Sequence, residues 1–186
     1  MLAAARELFI SGGYEAATVR QIANLAGVSV GSVFTTFASK GEILSQVMQD
    51  RLEGLYGEIN AAWPKLQGST AERLAALFAV TTAFEAGNVQ LFLAHIAAAY
   101  DWTLSPNARP FGRTPRLRDT IRDCLVAGVE LGDVDPRADL DGLVDLIMAA
   151  YAWTFRLAAW ENAGADAMAA VMEQQIGLIA QGFRPR

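Results

Sequence analysis

Between positions 18 and 40 the chain gathers short hydroxyl side chains, Thr18, Ser29, Ser32, Thr35 and Thr36, and closes the stretch with Lys40. A hydroxyl becomes a nucleophile only beside a base, and the chain holds one histidine, His95, and one cysteine, Cys124. A histidine-based triad would have to run through His95, and no histidine pair exists for an acid–base relay. One cysteine excludes a disulfide framework and a thiolate metal cluster, and fits a reducing compartment. Paired carboxylates, a phosphate loop and a metal constellation are also missing from the pattern. The expectation is therefore a protein that is not an enzyme, with no catalytic residues, metal or cofactor. Small polar side chains at helix starts suit another chemistry: they let the backbone approach phosphates and base edges closely.

The chain has 186 residues, 53% hydrophobic and 19% charged, with a mean hydropathy of +0.23, enough to bury a sizeable core. Its net charge of −5 argues against general affinity for polyanions. Five arginines fall between Arg109 and Arg122, and six acids between Glu130 and Asp145. Such runs read first as solvated faces, although the arginines leave room for an anionic ligand group. No run of 18 uncharged apolar residues occurs, so a cytoplasmic protein without a membrane partner is expected.

Periodicity is helical nearly throughout and predicts an all-α fold. A first helix covers about eleven residues and stops at Gly12-Gly13. Thr18 and Gln21 have capping-box spacing, Val19, Ile22, Ala23 and Ala26 line one face of a short second helix, and Gly27 ends it. Ser29 is placed to cap a third helix over 30–36. Ser39 and Glu42 start a long amphipathic helix towards Trp63-Pro64. Ser69 with Glu72 and Asn88 open two more, 104–115 reads as a loop, and a helix over 116–131 ends at Gly132. Asp135-Pro136 predicts the start of the next, with Pro at its first position. Two short helices joined by Ala26-Gly27-Val28 have helix-turn-helix geometry. In that reading Ser29, Val30, Ser32, Thr35 and Thr36 point outward, while Val33, Phe34 and Phe37 pack inward. Thr18 and Lys40 stand at first helical turns, where free amides favour a phosphate oxygen.

The run from Thr18 to Leu44, TVRQIANLAGVSVGSVFTTFASKGEIL, resembles the N-terminal signature of the TetR/AcrR family of bacterial transcriptional regulators. The resemblance covers about residues 1–48 and implies that Thr18, Ser32 and Lys40 contact DNA with the third helix in the groove. Phe34 stands where the family usually has a tyrosine, and Thr36 where a histidine or aromatic is frequent. A helix-turn-helix DNA-binding domain over 1–48 and an effector-binding and dimerisation domain over 49–186 are expected. The implied protein is a homodimeric regulator, usually a repressor, that binds a near-palindromic duplex operator and is released by a small-molecule effector. An all-α interaction or small-molecule-binding protein without DNA affinity is the alternative.

Between Leu140 and Trp160 apolar residues trace two faces, one through Ile147 and Tyr151, the other through Leu146, Trp153, Leu157 and Trp160. A helix apolar on two sides needs two partners. Met168, Met172, Ile176 and Phe183 form a further seam, so a four-helix bundle across a two-fold axis and a large monomer core both remain open. The resemblance favours the dimer, with Leu146, Trp153, Leu157, Met172 and Ile176 at its interface. It also implies an effector pocket between helices, for which Phe84, Phe92, His95 and Trp102 are candidates.

Overall fold

The structure, a computed structural model, describes residues 1–98, 115–183 and 185. Among these residues it is helical without strands. The helices are α1 (Leu2–Gly12), α2 (Val19–Leu25), α3 (Val30–Thr36), α4 (Lys40–Ala62), α5 (Thr70–Ala86), α6 (Val89–Ala98), α7 (Pro115–Leu131), α8 (Leu140–Thr154), α9 (Arg156–Trp160) and α10 (Ala165–Phe183), with a 3-10 turn at Trp63–Lys65. The loop expected over 104–115 lies outside the described residues, apart from Pro115 at the start of α7.

Contacts divide the chain into two compact units, Met1–Gly54 with Asn88–Arg113, and Leu55–Gly87 with Thr114–Arg186. The compact units divide after Gly54, whereas the functional boundary is expected after residue 48, and neither unit is one continuous stretch. The reason is α6, which packs on α1 and so joins the first unit. α4 contributes to both units.

In the first unit Ala5 and Phe9 of α1, Ile22 and Ala23 of α2, and Val33 of α3 are buried. On α6, Leu91, Phe92 and His95 are buried, and the main-chain carbonyl of Asn88 accepts from the Leu91 and Phe92 amides at 3.1 Å each.

In the second unit α5 packs against α7 and α10, and both of these pack against α8. Ser69 caps α5 as its spacing with Glu72 predicts, the hydroxyl accepting from the Glu72 amide while Glu72 accepts from the Ser69 amide. A second, distant carboxylate reinforces that helix start: Asp133 accepts from the Thr70 amide and the Thr70 hydroxyl, each at 2.6 Å. Gly128 leaves room for this contact, because a Cβ there would strike the Thr70 hydroxyl and the Val134 side chain. An aromatic cluster fills the centre, with Tyr151 tilted on Phe78 at 4.9 Å and edge-on to Phe155 at 5.2 Å.

Two helix starts or continuations differ from expectation. Asp135-Pro136 makes a turn instead of opening α8: the Asp135 carboxylate accepts from the Arg137 amide and guanidinium, and its carbonyl from the Ala138 amide. α8 starts later, at Asp139, whose carboxylate accepts from the Gly142 amide at 3.0 Å. The segment 140–160 is also not one helix, since the chain tightens at Phe155, whose amide donates to Ala152 and Trp153 carbonyls. By length and composition this segment is long and apolar enough to cross a membrane. Here Val144, Ile147, Met148 and Tyr151 are buried in protein, and Asp141, Asp145 and Arg156 interrupt it.

The opposed charge runs meet. Arg118 pairs with Asp145 at 2.6 Å and Arg122 with Asp141, so residues four apart on α7 face residues four apart on α8. The Arg116 guanidinium lies over the Tyr56 ring at 5.1 Å. These three cations have partners in the second unit, and Arg109 and Arg113 lie outside the described residues.

Candidate nucleic-acid interface

α2 and α3 are too short to be stable from their own hydrogen bonds, so their ends decide whether they form. At the start of α2 the Thr18 hydroxyl accepts from the Gln21 amide at 3.2 Å and Gln21 accepts from the Thr18 amide at 2.9 Å, a complete capping box. At its end the Val28 amide donates to the Ala23 carbonyl and the Gly27 amide to Asn24. This closure requires Gly27 at φ +66°, where any side chain would be strained. The chain leaves it at Ser29, whose hydroxyl accepts from the Ser32 amide at 3.0 Å and starts α3. The result is a helix-turn-helix with α3 over the residues expected for it.

α3 is anchored by one fully buried side chain, Val33. Ser29, Val30, Ser32, Thr35 and Thr36, all expected outward, are exposed. The Ser29 and Ser32 hydroxyls pair at 2.8 Å, while Thr35 donates to the Gly31 carbonyl at 2.9 Å and Thr36 to the Ser32 carbonyl at 3.1 Å. The threonine hydrogens are thereby spent on the helix, leaving oxygen lone pairs and methyl groups outward. Phe34 corrects the expectation of an inward ring, being 54% exposed because its position on α3 is turned away from Val33. Phe37 is half-buried.

Lys40 is held by the chain itself. Its ammonium donates to the carbonyls of Tyr14 at 2.9 Å, Ala17 at 3.1 Å and Glu15 at 3.3 Å, and sits 4.3 Å from the centre of the Tyr14 ring. Three carbonyls surround the ammonium, so Lys40 ties down the loop that leads into Thr18. The sequence held one signal of this. A cation at the first position of a helix faces the positive end of the dipole, which favours sending the charge elsewhere. Beside it the Ser39 hydroxyl accepts from the Glu42 amide at 3.1 Å, but Glu42 returns to the Ala38 amide at 2.6 Å, one residue earlier than a standard capping box.

This arrangement matches known proteins. The family model "Bacterial regulatory proteins, tetR family" covers residues 1–47. The HTH-type transcriptional repressor KstR2 of Mycobacterium tuberculosis H37Rv is 31% identical over 149 residues, 76% of this chain and 70% of the relative. The chain belongs to the TetR family. As a TetR-family member it is a helix-turn-helix DNA-binding transcriptional regulator and not an enzyme. The fold extends over its whole length: Thermus thermophilus FadR, a TetR-family repressor in complex with lauroyl-CoA, superposes with a TM-score of 0.80 at 24% identity, covering 100% of this chain and 94% of that one. Bacillus subtilis FadR in complex with stearoyl-CoA gives 0.76 at 18% identity, covering 98% and 97%.

The remaining expected positions separate by burial. Leu146 and Trp153 are more than half exposed, at 52% and 55%. Leu157, Met172 and Ile176 are instead buried within the protomer. For Met172 and Ile176 the cause is that α10 turns its seam onto its own α5 and α8. Among the effector candidates Phe84 is half-buried on α5 of the second unit, Phe92 and His95 are buried on α6 of the first, and Trp102 lies outside the described residues. Burial depresses His95 to a pKa of about 4, so its imidazole is neutral at physiological pH.

Proposed function

We propose that the protein is a cytoplasmic, homodimeric, ligand-responsive repressor that binds a near-palindromic operator and leaves it when a small-molecule effector binds. DNA contact resides in residues 1–48, through Thr18, Ser29, Val30, Ser32, Thr35 and Thr36, with Lys40 holding the loop beneath them. Residues 49–186 carry effector binding and dimerisation.

The observation that carries the dimer is the outer side of α8 and α9. Leu146, Trp153 and Trp160 follow one another at seven-residue intervals, a helical repeat, and all are largely exposed. Trp153 and Trp160 meet edge-on at 6.2 Å, and the Arg156 guanidinium lies 4.4 Å from the Trp153 ring centre. The protomer spends the opposite side of α8 on its own core, so this apolar strip supports a second copy as its cover. Trp153→Glu places a charge in the strip without disturbing the core. The expected outcome in sedimentation is a helical monomer, with dimer affinity lowered at least ~100-fold and operator binding lost with it. A variant that sediments as a dimer assigns the interface to another surface.

For the effector, Phe92 and His95 support a mainly apolar ligand with a polar handle. The two acyl-CoA complexes among the structural relatives make lauroyl-CoA and stearoyl-CoA the first compounds to test. Effector and operator must weaken each other by the same factor, so a ligand that raises the melting temperature but leaves operator affinity unchanged is not the effector. α4, shared by the two units, is the covalent route for that coupling.

A further inference from the structure

α3 lacks the side chains that usually read a base edge with two hydrogen bonds. Between Ser29 and Thr36 there is no arginine or lysine for guanine and no asparagine or glutamine for adenine. Its hydroxyls accept from or donate to many partners, so they discriminate weakly, and the two threonines have committed their hydrogens to the Gly31 and Ser32 carbonyls. What the helix does offer outward is apolar surface. Val30 and Phe34 lie four residues apart, on one side of the helix, and are 37% and 54% exposed. Val33 is the buried anchor of α3, and Val30 and Phe34 both keep an outer surface free.

We propose that Val30 and Phe34 form an apolar reading pair that recognises the C5-methyl groups of thymines in each operator half-site. The inference rests on α3 being the DNA-reading helix and continues that surface. The thymine methyl is the apolar group that base edges present in the major groove; a phosphate or a guanine edge gains nothing from a phenyl ring and loses water to it. Val30 and Phe34, one turn apart, can reach neighbouring base pairs, so the half-site should hold thymines at adjacent or nearly adjacent positions. Specificity then comes from methyl burial, with the hydroxyls of Ser29, Ser32 and Thr35 setting distance and register.

The test starts from the full-length protein and a duplex selected by it from a random pool. Each thymine of the selected duplex is replaced in turn by deoxyuridine, which removes the methyl and keeps every hydrogen-bonding group. At one or two positions per half-site, binding should weaken about fourfold, the worth of ~0.8 kcal/mol for one buried methyl at 1.4 kcal/mol per tenfold. In Phe34→Ala or Val30→Ala the penalty at the matching position should vanish, with the helical fold retained because Val33 still anchors α3. Deoxyuridine duplexes that all bind within about 1.5-fold of the parent would overturn the proposal, being well below one methyl's worth. So would a penalty that persists in both variants, since the methyl would then be read elsewhere. Failure to select any duplex rejects the DNA-reading role itself, a result distinct from selection of a duplex indifferent to the methyl.

Discussion

α2 and α3 of the first unit bury Ile22, Ala23 and Val33 between them, and each begins on a side-chain cap. α5 and α8 of the second unit bury Leu74, Leu77, Phe78, Val144, Ile147 and Tyr151 among others, and α8 still leaves Leu146 and Trp153 outside. Short helices remove little apolar area from water, so within the first unit α2 and α3 depend on directed polar contacts: the Thr18–Gln21 box, the Schellman closure at Gly27, the Lys40 tether. Phe9, Leu44, Met48 and Leu91 of the unit's other helices supply its apolar core. The second depends on apolar packing, with surplus on its surface. The contrast has a functional sense. A helix that must enter a polar, charged groove is best held from behind by a few fixed contacts. A surface that covers a second copy is best made of side chains that water does not favour.

The largest effect is expected at Phe78. Phe78→Ala removes a fully buried ring from the Tyr151 cluster and should cost about 3–5 kcal/mol in urea unfolding. A loss under about 1 kcal/mol would show that the second unit is not held by its apolar centre.

Acid acts on the first unit. His95 in the first unit is the chain's one histidine, and burial holds it at about 4 against an ordinary 6.5. The unfolded chain therefore takes up a proton from pH 6.5 downward while the folded chain resists until about pH 4, so stability falls as pH drops through that window. Between pH 7 and 5 the expected loss is about 2 kcal/mol, read from urea midpoints. His95→Leu should flatten the slope above pH 5. An equal slope in both proteins would remove the histidine from the account.

The smallest effect concerns the tether. Lys40→Ala should lower stability by about 1–2 kcal/mol through three unsatisfied carbonyls near Thr18, and weaken DNA binding while the salt dependence of binding stays the same. A phosphate ligand would behave differently, its removal reducing the logarithmic salt slope by about one. Titration at several salt concentrations separates the two.

The expectations that the structure matched share a feature: they use residues three or four apart. Thr18 with Gln21, Ser69 with Glu72, and Gly27 before Ser29 state their partners within one helical turn, and α3 accordingly spans 30–36 as its spacing predicts. The differences arise where two local options compete. Asp135-Pro136 can open a helix or close a turn, and Arg137 drew the carboxylate into the turn while Asp139 waited to cap. Val33 and Phe34 are neighbours of similar polarity, and hydrophobicity alone cannot tell which faces the core.

From the sequence alone came the helical class, the caps, the helix-turn-helix and its family, because each depends on short-range periodicity and on side chains reaching their own backbone. Tertiary structure alone decided that Lys40 binds carbonyls of the loop before α2, that Asp133 caps a helix far from it in the chain, that Met172 and Ile176 serve the protomer's own core, and that Phe34 faces outward. The physical reason is common to all four. A long side chain or an apolar face has several partners of equal chemistry available, and only the packed chain brings one of them within a few ångström.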